Sequence, residues 1–115
     1  MSKPGITTAI PKRRYRLGEF TLTVLGEIDS SDGVDYRYIM AVIQGQNPEP
    51  GLYITAEQPA GSVGQALDMR VIMRDGSEVI GQDAEWSQLD AFTKKGIDIV
   101  ASVLNLSDET PYQLL

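Results

Sequence analysis

The chain has 115 residues, with 10 Lys and Arg against 16 Asp and Glu, a formal net charge of −6, and neither Cys nor His. That length and an ordinary apolar fraction of 42% fit one globular domain with its own core. Without thiol or imidazole, disulfide scaffolds, zinc sites of the usual kind and Ser-His-Asp or Cys-His nucleophile machinery are excluded.

The charge is unevenly placed. Residues 1–16 hold Lys3, Lys12, Arg13, Arg14 and Arg16 and no acid, whereas the rest of the chain carries all 16 acids and only five cations. Pro4, Gly5 and Pro11 interrupt any periodicity in this basic stretch, so residues 1–14 are expected to be a flexible basic arm. An acidic body repels polyanions, which makes Lys12, Arg13, Arg14 and Arg16 the candidate polyanion contacts. No apolar run suits a secretory leader or a bilayer span, and the expectation is a cytoplasmic protein with no membrane contact.

From Tyr15 to Ile28 alternation sets in, with Phe20, Leu22, Val24 and Ile28 on one face and Thr21, Thr23 and Glu27 on the other; it predicts one half-buried strand. Asp29-Ser30-Ser31-Asp32-Gly33 reads as a turn, and its acids lack the spacing of a calcium loop. Val34–Gln44 is the second predicted strand, with Tyr36, Tyr38, Met40 and Val42 on one face and Ile39, Ala41 and Ile43 on the other. Apolarity on both faces predicts a strand covered on both sides. Two Pro- and Gly-containing loops, Gly45–Gly51 and Gln58–Gln65, flank a third strand, Leu52–Glu57. Neither loop carries a phosphate-binding fingerprint. Ala66–Arg74 is the fourth strand, and Asp75-Gly76 suits a type I′ hairpin that would set Arg74 opposite Ser77, Ile72 opposite Val79 and Val71 opposite Ile80, with the fifth strand over residues 77–81.

Asp83 is a suitable N-cap, and Trp86, Leu89, Phe92, Ile97, Val100, Val103 and Leu104 recur at helical spacing. Lys94-Lys95-Gly96 resembles a helix end, which predicts two helical pieces joined or kinked at Gly96; residues 97–104 also alternate and leave a sixth strand open. Residues 107–115 read as a tail. The expected architecture is α+β: a single domain over residues 15–106 made of a five-stranded antiparallel meander followed by a helix on one sheet face.

One helix shelters one side of a sheet. The other side then needs a cover, so the leading expectation is a non-catalytic, self-associating binding module, a homo-oligomer whose candidate interface is Tyr38, Ile39, Ala41, Ile43, Ile72 and Val79. No residue pattern nominates a cofactor, a metal or a catalytic group, and carboxylates scattered over strands and turns read as a solvated surface. The alternative is a single-stranded nucleic-acid binder that adds stacking by Tyr36, Tyr38 and Tyr53 to the basic arm. Ala84-Glu85-Trp86-Ser87-Gln88-Leu89, opening a helix after a meander, resembles the helix start of the positive-coactivator family of single-stranded-DNA-binding proteins. That likeness, over six residues, implies a dimer with sheet first and helix last; the family's basic strand face has no counterpart here.

Overall fold

A computed structural model describes residues 3–59 and 66–115. The Gly61–Gly64 part of the second predicted loop lies outside them. The fold is α+β. Strands β1 (Ile6–Leu17), β2 (Phe20–Ser30), β3 (Asp35–Gln44), β4 (Leu52–Gln58), β5 (Leu67–Met73) and β6 (Gly76–Asp83) precede a 3₁₀ turn at Ala84–Ser87 and the helix α1 (Leu89–Val103), and a two-residue strand β7 (Tyr112–Gln113) follows. All pairings are antiparallel, in the order β6-β5-β4-β3-β2-β1-β7. The sheet therefore has seven strands where the sequence predicts five.

The additional strands lie largely in the segments expected to be a flexible arm and a tail. The predicted strand Tyr15–Ile28 is a hairpin: Leu17 pairs with Phe20 across Gly18-Glu19. Gly18 has φ +61 and Glu19 has negative φ, the pattern of a II′ turn, which needs glycine at its first central position. Residues 6–17 thus form a strand along β2 in place of a free arm. Pro11 is accommodated because the outer side of β1 is unpaired there, so its missing N–H interrupts no ladder. The predicted tail returns to the same strand, where Arg16 pairs with Tyr112 and Tyr15 with Gln113.

The hairpin at Asp75-Gly76 differs from its predicted form. Met73 pairs with Gly76 and Ile72 with Ser77, so Arg74 and Asp75 occupy the turn, and neither has the positive φ that type I′ requires. Relative to the prediction β6 moves by two residues over Gly76–Val79, an even shift that keeps each of these side chains on its face, and a bulge at Ile80 changes the register by one beyond it.

The core lies between the sheet and α1. Leu22 and Val24 of β2, Met40 and Val42 of β3, Leu52, Ile54 and Ala56 of β4, and Leu67 and Met69 of β5 meet Phe92 and Val100 of the helix. Asp83 does cap, but it caps the 3₁₀ turn: its Oδ1 accepts from the Glu85 N–H at 2.8 Å. The ring of Trp86 in that turn lies over Gly81, where an added Cβ would stand 3.0 Å from Cη2.

Helix α1 runs unbroken through Gly96, correcting both the predicted kink and the alternative strand over residues 97–104. It ends at Asn105, whose φ of +58 supplies the left-handed residue of a Schellman motif. The Leu106 N–H donates to Ala101 O at 2.7 Å and the Asn105 N–H to Ser102 O at 3.4 Å. Gly96 is mid-helix because Met40 of the central strand β3 presses against it. A Cβ there would stand 2.7 Å from Met40 Cε and 3.1 Å from Sδ.

Gly96→Ala gains about 1 kcal/mol of helix propensity and overpacks a fully buried methionine at a cost of about 2 kcal/mol. We therefore expect a net loss of ~1 kcal/mol in urea denaturation. In a Met40→Leu background, which removes the long thioether arm, the same substitution is expected to be stabilising; stabilisation in both backgrounds would argue against the close contact.

Candidate interaction surface

The face of the sheet away from α1 is built by alternation. Arg14 and Arg16 of β1 lie opposite Thr23 and Thr21 of β2; Leu25, Thr23 and Thr21 lie opposite Ile39, Ala41 and Ile43 of β3. Ile39 and Ala41 meet Thr55 and Tyr53 of β4, which meet Arg70 and Ile72 of β5, and these pair with Val79 and Ser77 of β6. The sequence prediction of an apolar second face holds for part of this surface only.

A polar cluster occupies its centre. Glu57, buried on β4, accepts from the Thr55 hydroxyl at 2.6 Å and from Arg70 Nε at 3.2 Å, and Arg70 Nη1 reaches Ser77 Oγ at 3.2 Å. The buried carboxylate thus keeps both a charge partner and a hydroxyl donor, as its desolvation requires. Sequence alternation placed these residues on one face but gave no sign that three strands would pool them.

The N-terminal segment covers another part. Pro4 is buried, and Lys3 lines a cavity shared with Tyr53 and Ile72. The segment is anchored at the β2–β3 turn. Asp32 Oδ2 accepts from the Gly5 N–H at 2.9 Å and from the Tyr36 hydroxyl at 2.7 Å, while the Ser31 N–H donates to Gly5 O at 2.7 Å. Ile39 and Ile72, two of the predicted interface residues, are consequently buried within the chain itself.

The other predicted site residues separate. A bulge at Arg37 breaks the alternation of β3, since Tyr36 pairs with Glu57 and Tyr38 with Ala56. Tyr36 therefore falls on the polar face with its hydroxyl committed to Asp32. Tyr38 falls on the helix side and stacks on Phe92 at a centroid distance of 5.5 Å, so it belongs to the core and not to an interface. Ala41 and Ile43 are half-buried on the open face, and Val79 is 43% exposed.

The basic run is dispersed by the two-residue period of its strand. Lys12, the bulged residue between Pro11 and Arg13, pairs with Glu27. Arg13 points to the helix side and approaches Asp90 at 3.5 Å. Arg14 donates from Nε to Thr23 Oγ1 at 3.3 Å on the opposite face, and Arg16 shares that face. No single cluster of four cations is formed.

The outer strand β6 carries the exposed apolar side chains Val79 and Ile80 on opposite faces of a free edge. Ile80 lies over a groove that Val71, Met73, Ile99 and Val103 complete on the helix side. No sequence pattern marked this edge, because strand order is a property of the assembled sheet.

Among the described residues no three candidate ligands group around a metal position, and no helix is long and apolar enough to cross a membrane. No family model, curated protein or solved structure matches the chain.

The anchor at Asp32 has a pH signature. Partial burial opposes ionisation of its carboxyl, but the bonds from Tyr36, Gly5 and Val34 outweigh this and hold its pKa below the ordinary 3.8. The stabilisation it contributes is present above 3.8 and is lost as pH falls below that value. Burial and the Asp32 carboxylate raise the Tyr36 phenol, so its contribution is lost as pH rises above the ordinary value of 10.0. We expect the protection factors of the Gly5 and Ser31 amides, with the intrinsic pH dependence of exchange divided out, to fall as the pH drops below 3.8 in the native protein. Asp32→Asn should show low protection factors at both amides already at neutral pH, with no further fall in acid; unchanged protection in that variant would rule out the anchor.

Proposed function

We propose that the chain is a non-catalytic assembly module whose copies join edge to edge through β6. The observation that carries this reading is the unequal treatment of the two sheet edges. Beside β1 the chain has Pro11, a bulge at Lys12 and the capping strand β7, the devices by which proteins prevent unwanted strand pairing. Along β6 there is a bulge at Ile80 but no proline, no cation and no capping strand; Val79 and Ile80 are exposed there beside Glu78 and Asp83.

Antiparallel pairing of two β6 strands about a two-fold axis would satisfy the free backbone groups and bring two Ile80 grooves together. This moves the expected interface from the centre of the open face to its border. Of the residues named from sequence Val79 is central, Ala41 and Ile43 lie further in, and Tyr38, Ile39 and Ile72 drop out. Light scattering at about 50 µM, within the range of moderate self-affinity, is expected to report a homodimer. Val79→Lys and Ile80→Lys should each yield monomer with little change in the cooperativity of thermal unfolding. A monomeric parent protein at that concentration refutes the reading.

A second reading, single-stranded nucleic-acid binding, is supported by Arg14 and Arg16 on one face without an acidic partner among the described residues. Tyr36 and Tyr38 no longer contribute to it. Two phosphate contacts imply a salt slope near −1.4 for a single strand. Fluorescence anisotropy with an oligonucleotide should give that slope, and Arg14→Gln with Arg16→Gln should abolish it; absence of binding at low salt removes this reading.

A further inference from the structure

The β3–β4 loop, the turn after β5 and the N-terminal segment enclose a cavity of about 590 Å³, within the range of small-ligand sites. Its lining includes Lys3, Asn47, Glu49, Tyr53, Ile72 and Arg74. Two properties distinguish it from an ordinary surface hollow. Lys3 and Arg74 are its cations, and among the described residues neither side chain has an ion-pair or hydrogen-bond partner. In a chain of net charge −6, two unpaired cations beside one carboxylate are a local reversal of sign. The cavity also has an apolar part: Ile72 is almost wholly buried and the Tyr53 ring is half-buried beside it on the open face.

We infer that this cavity binds a small organic anion with a planar apolar body, its anionic head held by Arg74 and Lys3 and its ring laid on Tyr53. A guanidinium presents paired donors to a carboxylate or phosphate, and the ammonium adds a point charge. Burial, with a smaller contribution from Glu49, raises the Tyr53 phenol, so the ring stays neutral and its hydroxyl can donate at working pH. Asn47 uses its Oδ1 to accept from the Glu49 N–H at 3.1 Å, which leaves its amide N–H groups available to an acceptor. The inference is independent of edge pairing, because it uses the loop end of the open face and no atom of β6.

The experiment is an amide chemical-shift titration of the full chain with phenyl phosphate and benzoate as probes, and benzyl alcohol and inorganic phosphate as controls. Saturable shifts at Tyr53, Ile72 and Arg74 are expected with at least one aromatic anion, and the tighter of the two names the head group. Benzyl alcohol and inorganic phosphate should each bind at least about tenfold more weakly, one charge-assisted contact or one ring's burial corresponding to roughly that factor. Arg74→Gln should weaken the aromatic anion about tenfold, and Lys3→Gln by a smaller factor. Both positions are exposed, so neither variant is expected to disturb folding. Equal binding of benzyl alcohol, equal binding of inorganic phosphate, unchanged affinity in Arg74→Gln, or no saturable shift would each overturn the assignment.

Discussion

A single helix of fifteen residues is asked to shelter a sheet of seven strands. Close packing is made at the middle of the sheet. Gly96 makes it available by letting the helix backbone approach Met40 on β3. Phe92 and Val100 then join the core, and Tyr38 of the same strand packs against it as the stacking partner of Phe92. The outer strand β6 is left at the margin of this cover, and Ile80 on its helix side remains in contact with water.

The opposite face meets the same shortage of cover by a different route. It is shielded by a short stretch of the chain's own N-terminus and by a polar cluster that can tolerate partial hydration. Asp32 links the two solutions. Its carboxylate gathers the Gly5 amide and the Tyr36 hydroxyl, so the segment that buries Pro4 is held at the turn from which β3 starts. Glu57, Arg70, Thr55 and Ser77 form a network across three adjacent strands, and the bonds from Thr55 and Arg70 satisfy the Glu57 carboxylate that burial would otherwise penalise. An apolar partner layer over the whole face is therefore unnecessary. The surface still available for contact lies at the β6 border and around the cavity near Tyr53.

These arrangements follow from small local devices acting on regular alternation. The Arg37 bulge sends Tyr36 and Tyr38 to opposite faces, one to an acid and the other to an aromatic ring. Strand formation by the basic stretch distributes Lys12, Arg13, Arg14 and Arg16 over two faces, each with a different neighbourhood. In both cases a compact group of like residues in sequence is divided in space, and a functional reading based on clustering loses its support. The converse holds for Lys3 and Arg74, which are far apart in sequence and line one cavity.

The α+β class, the antiparallel order of the middle strands, the helical stripe and Asp83 as a cap, though of the 3₁₀ turn and not of the helix itself, were legible from the residues alone, because period, turn chemistry and capping are local properties. Gly18-Glu19 was also a legible hairpin signal, obscured by the continuous alternation on either side of it. Pairing of the N-terminal and C-terminal segments was not legible. Pro11 and the cations argue against a strand until a neighbour exists whose backbone can receive it, and a two-residue strand at Tyr112–Gln113 has no periodicity to detect. The meaning of Gly96 depended on Met40, 56 positions away in the chain. Local chemistry thus determined the four strands within Asp35–Asp83 and the helix, whereas only the tertiary structure decided that both terminal segments become strands, which faces keep their polar groups and which distant side chains share a cavity, since each of these depends on contacts between residues remote in sequence.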